Sequence, residues 1–511
     1  MLTPAEESLW TREAAAHLLN RAGFGGTPAE IDRLHDMGRA RAVESLIDGQ
    51  EDAARFPLPE WMQPEQLRTL AGEMMDSRRK IEGMTDEKEK EEQRRRTIQN
   101  VIRRQREQAL ELTGWWFGRM AGTAWPLREK MTLFWHGHFA TSLEKVRQVP
   151  LMARQNELFR RHALGSFRDL TGDIVEDPAM MVYLDTNTSR REHPNENFAR
   201  ELMELFTLGE GNYTEDDVKE GARASTGYVF RPVMLESRFV PFQHDDGEKT
   251  FLGEKGRWNG RDIVNIIFRK PQCAKFITAK LWRFFVSDTL PEPALHEALA
   301  AALQKAEWRL SAFLRTLFNA AEFYSPAVMR AQIKSPVQFL VQLRKQLELK
   351  SPVPPVLLAG TLQQLGQVLF RPPNVAGWEG GRAWINTSTL LMRYNVAGAV
   401  ATGDLSGLPA PQRPNGGNQP PRVMERVRER MMARGGAVKP DWQALLPQEL
   451  RSDGAKLLDA LVWRLYNGPI PEKDRAKFAD FAKEKSEGGL TDDELAHLVH
   501  VMLSTPQYQV C

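Results

Sequence analysis

Cysteine is nearly missing from this chain: two occur in 511 residues, Cys273 and Cys511. So few exclude a disulfide framework and a cysteine-rich zinc site. Cys273 lies in an apolar helical pattern and reads as core rather than as a nucleophile. An excess of either charge is missing too, since 69 Lys and Arg balance 67 Asp and Glu to a net +2. That balance makes no general electrostatic case for nucleic acid or for an anionic membrane. No uncharged apolar run of about 18 residues occurs, so no membrane span is expected. The first residues, MLTPAEESLWTREAAAHLLNRAGFG, lack a basic stretch followed by an apolar one. No signal peptide is read there, and the expected location is cytoplasmic, with export open only to a different start site. A Gly-x-Ser-x-Gly elbow, a zincin helix and a dinucleotide fingerprint are also missing.

What is present is helical periodicity. It recurs at Trp10–Leu19, Pro28–Asp36, Ala40–Leu46, Leu112–Ala121, Leu127–Trp135, Gln155–His162, Asp216–Ala224, Asp262–Phe268, Cys273–Phe285 and Pro293–Lys305. Thr27-Pro28-Ala29-Glu30 is a capping box with proline at the first helical position, and starts of the same kind stand at Thr214 and Thr491. Gly227–Val240 alternates as a β-hairpin does. The charged run Arg78–Gln108 predicts a solvated long helix or helical hairpin projecting from the body. The fold class expected is mainly α: a multi-helix globular body with a small β-hairpin and that projection. The organisation expected is a main helical domain at 1–402 with the charged insert near 78–108. A Pro/Gly-rich linker at 403–440 follows, then a C-terminal helical segment at 441–511 docking on the body.

The densest block of chemistry is HPNENFARELMELFTLGEGNYTEDDVKEGARASTGY, from His193 to Tyr228. On a helix, Asn197, Arg200, Glu201 and Glu204 fall within about 100° of one another, opposite Phe198, Leu202 and Phe206. The stripe reads either as a site or as a solvated face with Arg200–Glu204 as an i,i+4 pair. Glu196, in the turn before the helix, adds a further carboxylate. Trp135-His136-Gly137-His138 offers His-x-His, a metal-ligand spacing if the helix ends there. In a continuing helix the rings point about 200° apart. The structural alternative has one histidine packing on Trp135 and the other capping a helix end. His244-Asp245-Asp246-Gly247-Glu248-Lys249 supplies hard oxygen ligands, a general base or a plain polar turn. Phe370-Arg-Pro-Pro-Asn-Val-Ala-Gly-Trp378 is a shaped loop that walls a pocket or docks on the core.

At these motifs the chain resembles a large bacterial family, domain of unknown function 1800. The segments that carry the resemblance are AAHLLNRAGFGGTPAEID, KMTLFWHGHFATS, DPAMMVYLD, the His193–Tyr228 block, HDDGEKTFLG and RPPNVAGWEGGRAWIN. The resemblance implies a mainly helical fold and bacterial origin without an established reaction. It also implies a partner, a sulfatase-like protein encoded nearby.

Two functions follow as expectations. In the first, His136, His138, Glu201 and Glu204 bind a divalent metal such as zinc, iron or manganese. Glu196 or His244 then serves as general base, and Arg200 orients a carboxylate or tunes Glu204 by charge pairing, with Asn197 in the same catalytic pocket, for hydrolysis or oxygen chemistry. In the second, the same residues form a structural network in a non-catalytic scaffold that binds a partner.

Overall fold

The structure, a computed structural model, describes residues 2–50, 53–231, 234–405, 408, 439–484 and 489–511. Most of the 403–440 linker lies outside those residues, as do two residues of the β-turn region. The chain is mainly helical, and its two sheets among the described residues are two-stranded and antiparallel.

Local chemistry sets the helix starts. The three capping boxes form as their sequences dictate, opening helices Pro28–Met37, Glu215–Ala224 and Asp492–Leu503. Proline, whose missing N–H is no loss in a first turn, opens helices Pro126–His138, Pro178–Tyr183, Pro271–Phe285, Pro336–Gln346 and Pro355–Leu365. The predicted hairpin pairs Tyr228–Arg231 with Glu236–Phe239. A smaller one, Lys249–Phe251 with Glu254–Gly256, follows it.

The charged insert is a helical hairpin that is larger than its charge run. Its first arm, Pro64–Glu82, begins before the expected 78. Its second arm, Glu87–Gly122, does not stop at 108 but continues into the interior, where Leu112 and Trp116 are fully buried. No glycine or proline breaks the sequence between Glu87 and Thr113, so one helix carries both the solvated and the core pattern.

The core is aromatic where the motif segments meet. Trp116, Trp135, Phe139, Phe159, Phe167, Phe198 and Phe206 are all essentially inaccessible. Trp135 stacks on Phe167 at 5.4 Å, and Phe139 meets Phe206 edge-on at 5.1 Å. Residues 439–484 and 489–511 contact this body closely. Helix Asp492–Leu503 packs along helix Thr387–Thr402, where Gly398 admits the His500 ring. Tyr508 donates to Gln346, and Val510 bridges Ile333.

Candidate functional site

Helix Pro126–His138 runs unbroken through both histidines and ends at Phe139. Gly137 does not end it, so the two imidazoles leave opposite sides and meet different partners. His136 is buried against Trp116 at 5.4 Å, Phe370 at 5.3 Å and Trp378 at 5.5 Å. The Phe370 N–H donates to His136 Nε2 at 2.9 Å, which fixes the ring proton on Nδ1. Burial pulls this imidazole down to about 3, so it stays neutral.

His138 turns toward the motif helix. That helix is α from Asn197 to Glu201 and then widens into a π-turn over Leu202–Thr207, the kind of local expansion often found at functional positions. A helix end leaves carbonyls unpaired. Here two of them are taken up by side chains. His138 Nε2 donates to the Phe206 carbonyl at 3.0 Å, and Lys280 Nζ donates to the Leu205 carbonyl at 2.8 Å. Lys280 also lies 3.5 Å from His138 Nδ1, the free acceptor of that tautomer. Burial, and then the Lys280 charge, hold His138 well below the usual imidazole value; burial pulls Lys280 to about 8. His138 also meets Trp135 edge-on at 5.5 Å, so packing on Trp135 and capping a helix end fall to one histidine.

The polar stripe faces outward. Arg200 does not pair with Glu204. It holds Glu215 through two bonds of 2.7 and 2.8 Å and reaches back to Glu196 at 3.2 Å. Glu204, carried round by the π-turn, instead accepts from the Tyr213 hydroxyl at 2.8 Å. Half-burial, with Glu204 beside it, raises the Glu201 carboxyl. Asn197 is exposed at the start of the helix. His244 sits elsewhere, with Nδ1 bonded to the Thr226 carbonyl at 3.0 Å. Its neighbour Asp245 is held by Arg223 at 2.7 Å, and the Lys249 ammonium is buried beneath Asp245 and Gly247. Gly227, at φ 87°, is required here because a Cβ would lie 2.9 Å from His244 Cβ.

Of the eight residues expected to share one pocket, the structure thus places His136 and His138 in the interior. Glu196, Asn197, Arg200, Glu201 and Glu204 lie on one half-exposed face, and His244 in a separate clasp. Among the described residues, no group of three or more His, Cys, Asp or Glu could hold a metal ion, and the His136, His138, Glu201 and Glu204 set is not brought together as one. Sequence reading missed Lys280 and the Phe370 amide. The first is hidden in an amphipathic pattern, and the second is a backbone group 234 residues from its partner.

A family profile described as protein of unknown function, DUF1800, matches residues 17–510. The chain belongs to the DUF1800 family. No curated protein and no solved structure matches it. Among the described residues of this DUF1800 protein, no helix is long and apolar enough to cross a membrane.

Two of the segments that carry the resemblance touch directly. The Phe370–Trp378 loop lies directly on the His136-Gly137-His138 turn. Gly377, at φ 82°, approaches so closely that a Cβ would stand 2.1 Å from the Gly137 carbonyl oxygen. Gly377→Ala is therefore expected to cost about 2–4 kcal/mol in urea unfolding, through overpacking and a strained φ. Gly137→Ala, whose Cβ would meet Trp378 at an ordinary 3.6 Å, is expected to change stability by less than about 1 kcal/mol.

Asp177 of DPAMMVYLD caps helix Pro178–Tyr183 through the Met180 N–H at 2.8 Å and accepts from Gln155 at 2.7 Å. Thr141, from FATS, donates to the same Gln155. Burial raises the Asp177 carboxyl to about 6, so the proton is held more tightly in the folded chain than in the unfolded one. The stability this supplies is complete below about pH 4 and is lost as pH rises through about 6. Asp177→Asn keeps an acceptor at that position. It is expected to match wild type at pH 4.5 and exceed it by about 1–2 kcal/mol at pH 7.5, read by urea denaturation at both values.

Proposed function

We propose that this DUF1800 protein is a non-catalytic helical scaffold whose motif residues hold distant segments in register so that its surface can bind a partner protein. The observation that carries this reading is the closure of the two histidines. Each is buried and neutral, and each is bonded to a backbone group of another motif segment. Buried polar contacts between distant segments specify one packing arrangement. The partner expected from the family resemblance is a sulfatase-like protein.

A second reading rests on Glu201. Its raised carboxyl beside Glu204, with the Tyr213 hydroxyl on the second carboxylate, is an arrangement suited to general acid–base work. In that reading Arg200 and Asn197 orient a substrate, and Glu196 is a further carboxylate within the same face. A divalent metal would be held by the Glu201–Glu204 face rather than by the histidines.

One experiment separates the two. Tag-free protein, wild type beside Glu201→Gln/Glu204→Gln, is assayed for zinc, iron and manganese by mass spectrometry and for turnover on a panel of esters, phosphates and sulfates. The scaffold reading expects neither bound metal nor turnover in either protein. Near-stoichiometric metal, or turnover lost in a folded variant, overturns it in favour of the enzyme.

A further inference from the structure

The two arms of the helical hairpin leave a cleft of about 760 Å³ between them, closed on its third side by Arg147, Gln148 and Pro150 of the body and by Leu235 of the first β-hairpin. Its walls are unlike. The aliphatic residues stand mostly on the first arm, as Leu67, Leu70 and Ile81. The second arm lines it with Gln93, Arg94, Thr97, Asn100, Arg104 and Gln105, and Val101 is its one aliphatic residue there. Leu235 holds a left-handed backbone, φ 52°, which a leucine adopts only at a cost in energy, and Arg154 fixes it there by donating to its carbonyl.

Four arginines and two glutamates line the cleft, a surplus of positive charge. Arg78 is engaged by Glu82 at 2.8 Å and Arg104 by Glu73 at 3.3 Å. Arg94 and Arg147 make no ion pair among the described residues, and they stand at opposite ends. Arg94 lies toward the tip of the helical hairpin. Arg147 lies by Gln105, whose Oε1 accepts from the Val149 N–H at 2.8 Å. From Gln93 to Gln105 the second arm runs about 18 Å, a little over three turns. Unlike walls along that length call for an occupant with unlike faces. A single-chain lipid has unlike ends instead. An amphipathic helix has such faces, and about 18 Å of one, about 10–12 Å across with its side chains, fills about 1,400–2,000 Å³. The cleft seats roughly half of that, the depth that buries one face and leaves the other in water. Residues 409–438 of this chain hold six arginines against two glutamates, so their charge is the wrong one for the cleft.

We propose that the cleft takes an acidic amphipathic helix of a partner protein, its apolar face on Leu67, Leu70 and Ile81 and its carboxylates, about three turns apart, on Arg94 and Arg147. The inference names the element that the partner of the scaffold reading offers, and it rests on that reading. Bound metal or turnover in the assay above fails that reading, whereas the peptide measurements below fail this inference alone.

Fluorescence anisotropy on the full chain tests it, with a panel of labelled helical peptides of about fourteen residues that carry a leucine, isoleucine or phenylalanine face and glutamates about three turns apart. At least one is expected to bind with a dissociation constant below about 50 µM. Arg94→Glu and Arg147→Glu should each weaken it at least about fivefold, and lysines in place of the peptide's glutamates should restore binding to Arg94→Glu/Arg147→Glu. A scrambled peptide of the same composition, which keeps the charges and loses the apolar face, should bind at least about tenfold more weakly. Circular dichroism confirms that each variant is folded, which the exposure of both arginines favours. The proposal is overturned by a panel that does not bind, by a scrambled peptide that binds as well, or by variants that leave the affinity unchanged. A cleft that takes dodecanoate in place of the peptides, or a second copy in a dimer that Arg94→Glu dissociates, overturns it too.

Discussion

His138→Ala is expected to lower the free energy of unfolding by about 3–5 kcal/mol, measured by urea denaturation at pH 7.5. Three losses add up at this position. The Phe206 carbonyl at the end of the π-turn loses its donor, and a buried carbonyl without one costs about 1–3 kcal/mol. The Lys280 ammonium keeps the Leu205 carbonyl but loses the imidazole nitrogen beside it. A ring-sized gap opens among Phe134, Trp135, Phe139 and Phe206, whose rings surround the imidazole. A residue on a solvated face would cost a few tenths instead, so the size of the loss is diagnostic. The acid side carries the same signature. Because His136 and His138 are held neutral in the folded chain, their contribution is complete above the unfolded imidazole value and is lost as pH falls below it.

Removing Glu129 is expected to be as damaging, at about 3–5 kcal/mol for Glu129→Ala, because it strands two buried cations. Its carboxylate is 1% exposed and accepts from Arg119 at 2.7 Å, from Arg160 at 2.6 and 2.9 Å, and from the Trp116 indole at 2.9 Å. Burial alone would raise this carboxyl, but Arg160 and then Arg119 outweigh it and hold it below the usual carboxylate range. Three helices, Glu87–Gly122, Pro126–His138 and Val149–Arg161, are tied through this one group. Arg160→Met alone should cost less, because Arg119 still balances Glu129. A double-mutant cycle between Glu129→Gln and Arg160→Met is expected to give a coupling of at least about 1 kcal/mol, whereas a value near zero would mean the pair is not coupled in the folded chain.

The fold was legible where short-range chemistry decides it. Thr27, Thr214 and Thr491 announce their helices because a capping box needs four consecutive residues and nothing else. The β-hairpin after Gly227 follows from alternation alone. The first arm of the helical hairpin is written before residue 78, in Leu67, Leu70, Ala71, Met74 and Met75 at helical spacing, a start that the charge run alone does not show. The candidate site was legible as a set of residues and not as an arrangement. Periodicity puts Arg200 and Glu204 one turn apart, but a π-turn starting at Leu202 rotates Glu204 away, and Glu215 on the next helix offers Arg200 a bidentate partner. The partners of His136 and His138 are backbone groups at Phe370 and Phe206, which no side-chain pattern encodes. Glu129 did leave a trace: a carboxylate between Leu127 and Met131, in a helix otherwise written for the core, needs a buried cation to sit there.

The central claim is that the two histidines are structural, neutral and closed. Nitrogen-15 NMR of histidine-labelled protein reads it directly, with His136→Gln and His138→Gln variants assigning their signals among the ten histidines. From pH 8 down to pH 5, His136 is expected to remain the Nδ1–H tautomer and His138 the Nε2–H tautomer, unchanged by added zinc. Titration of either ring near the free imidazole value, or a shift of both on adding zinc, would contradict the account.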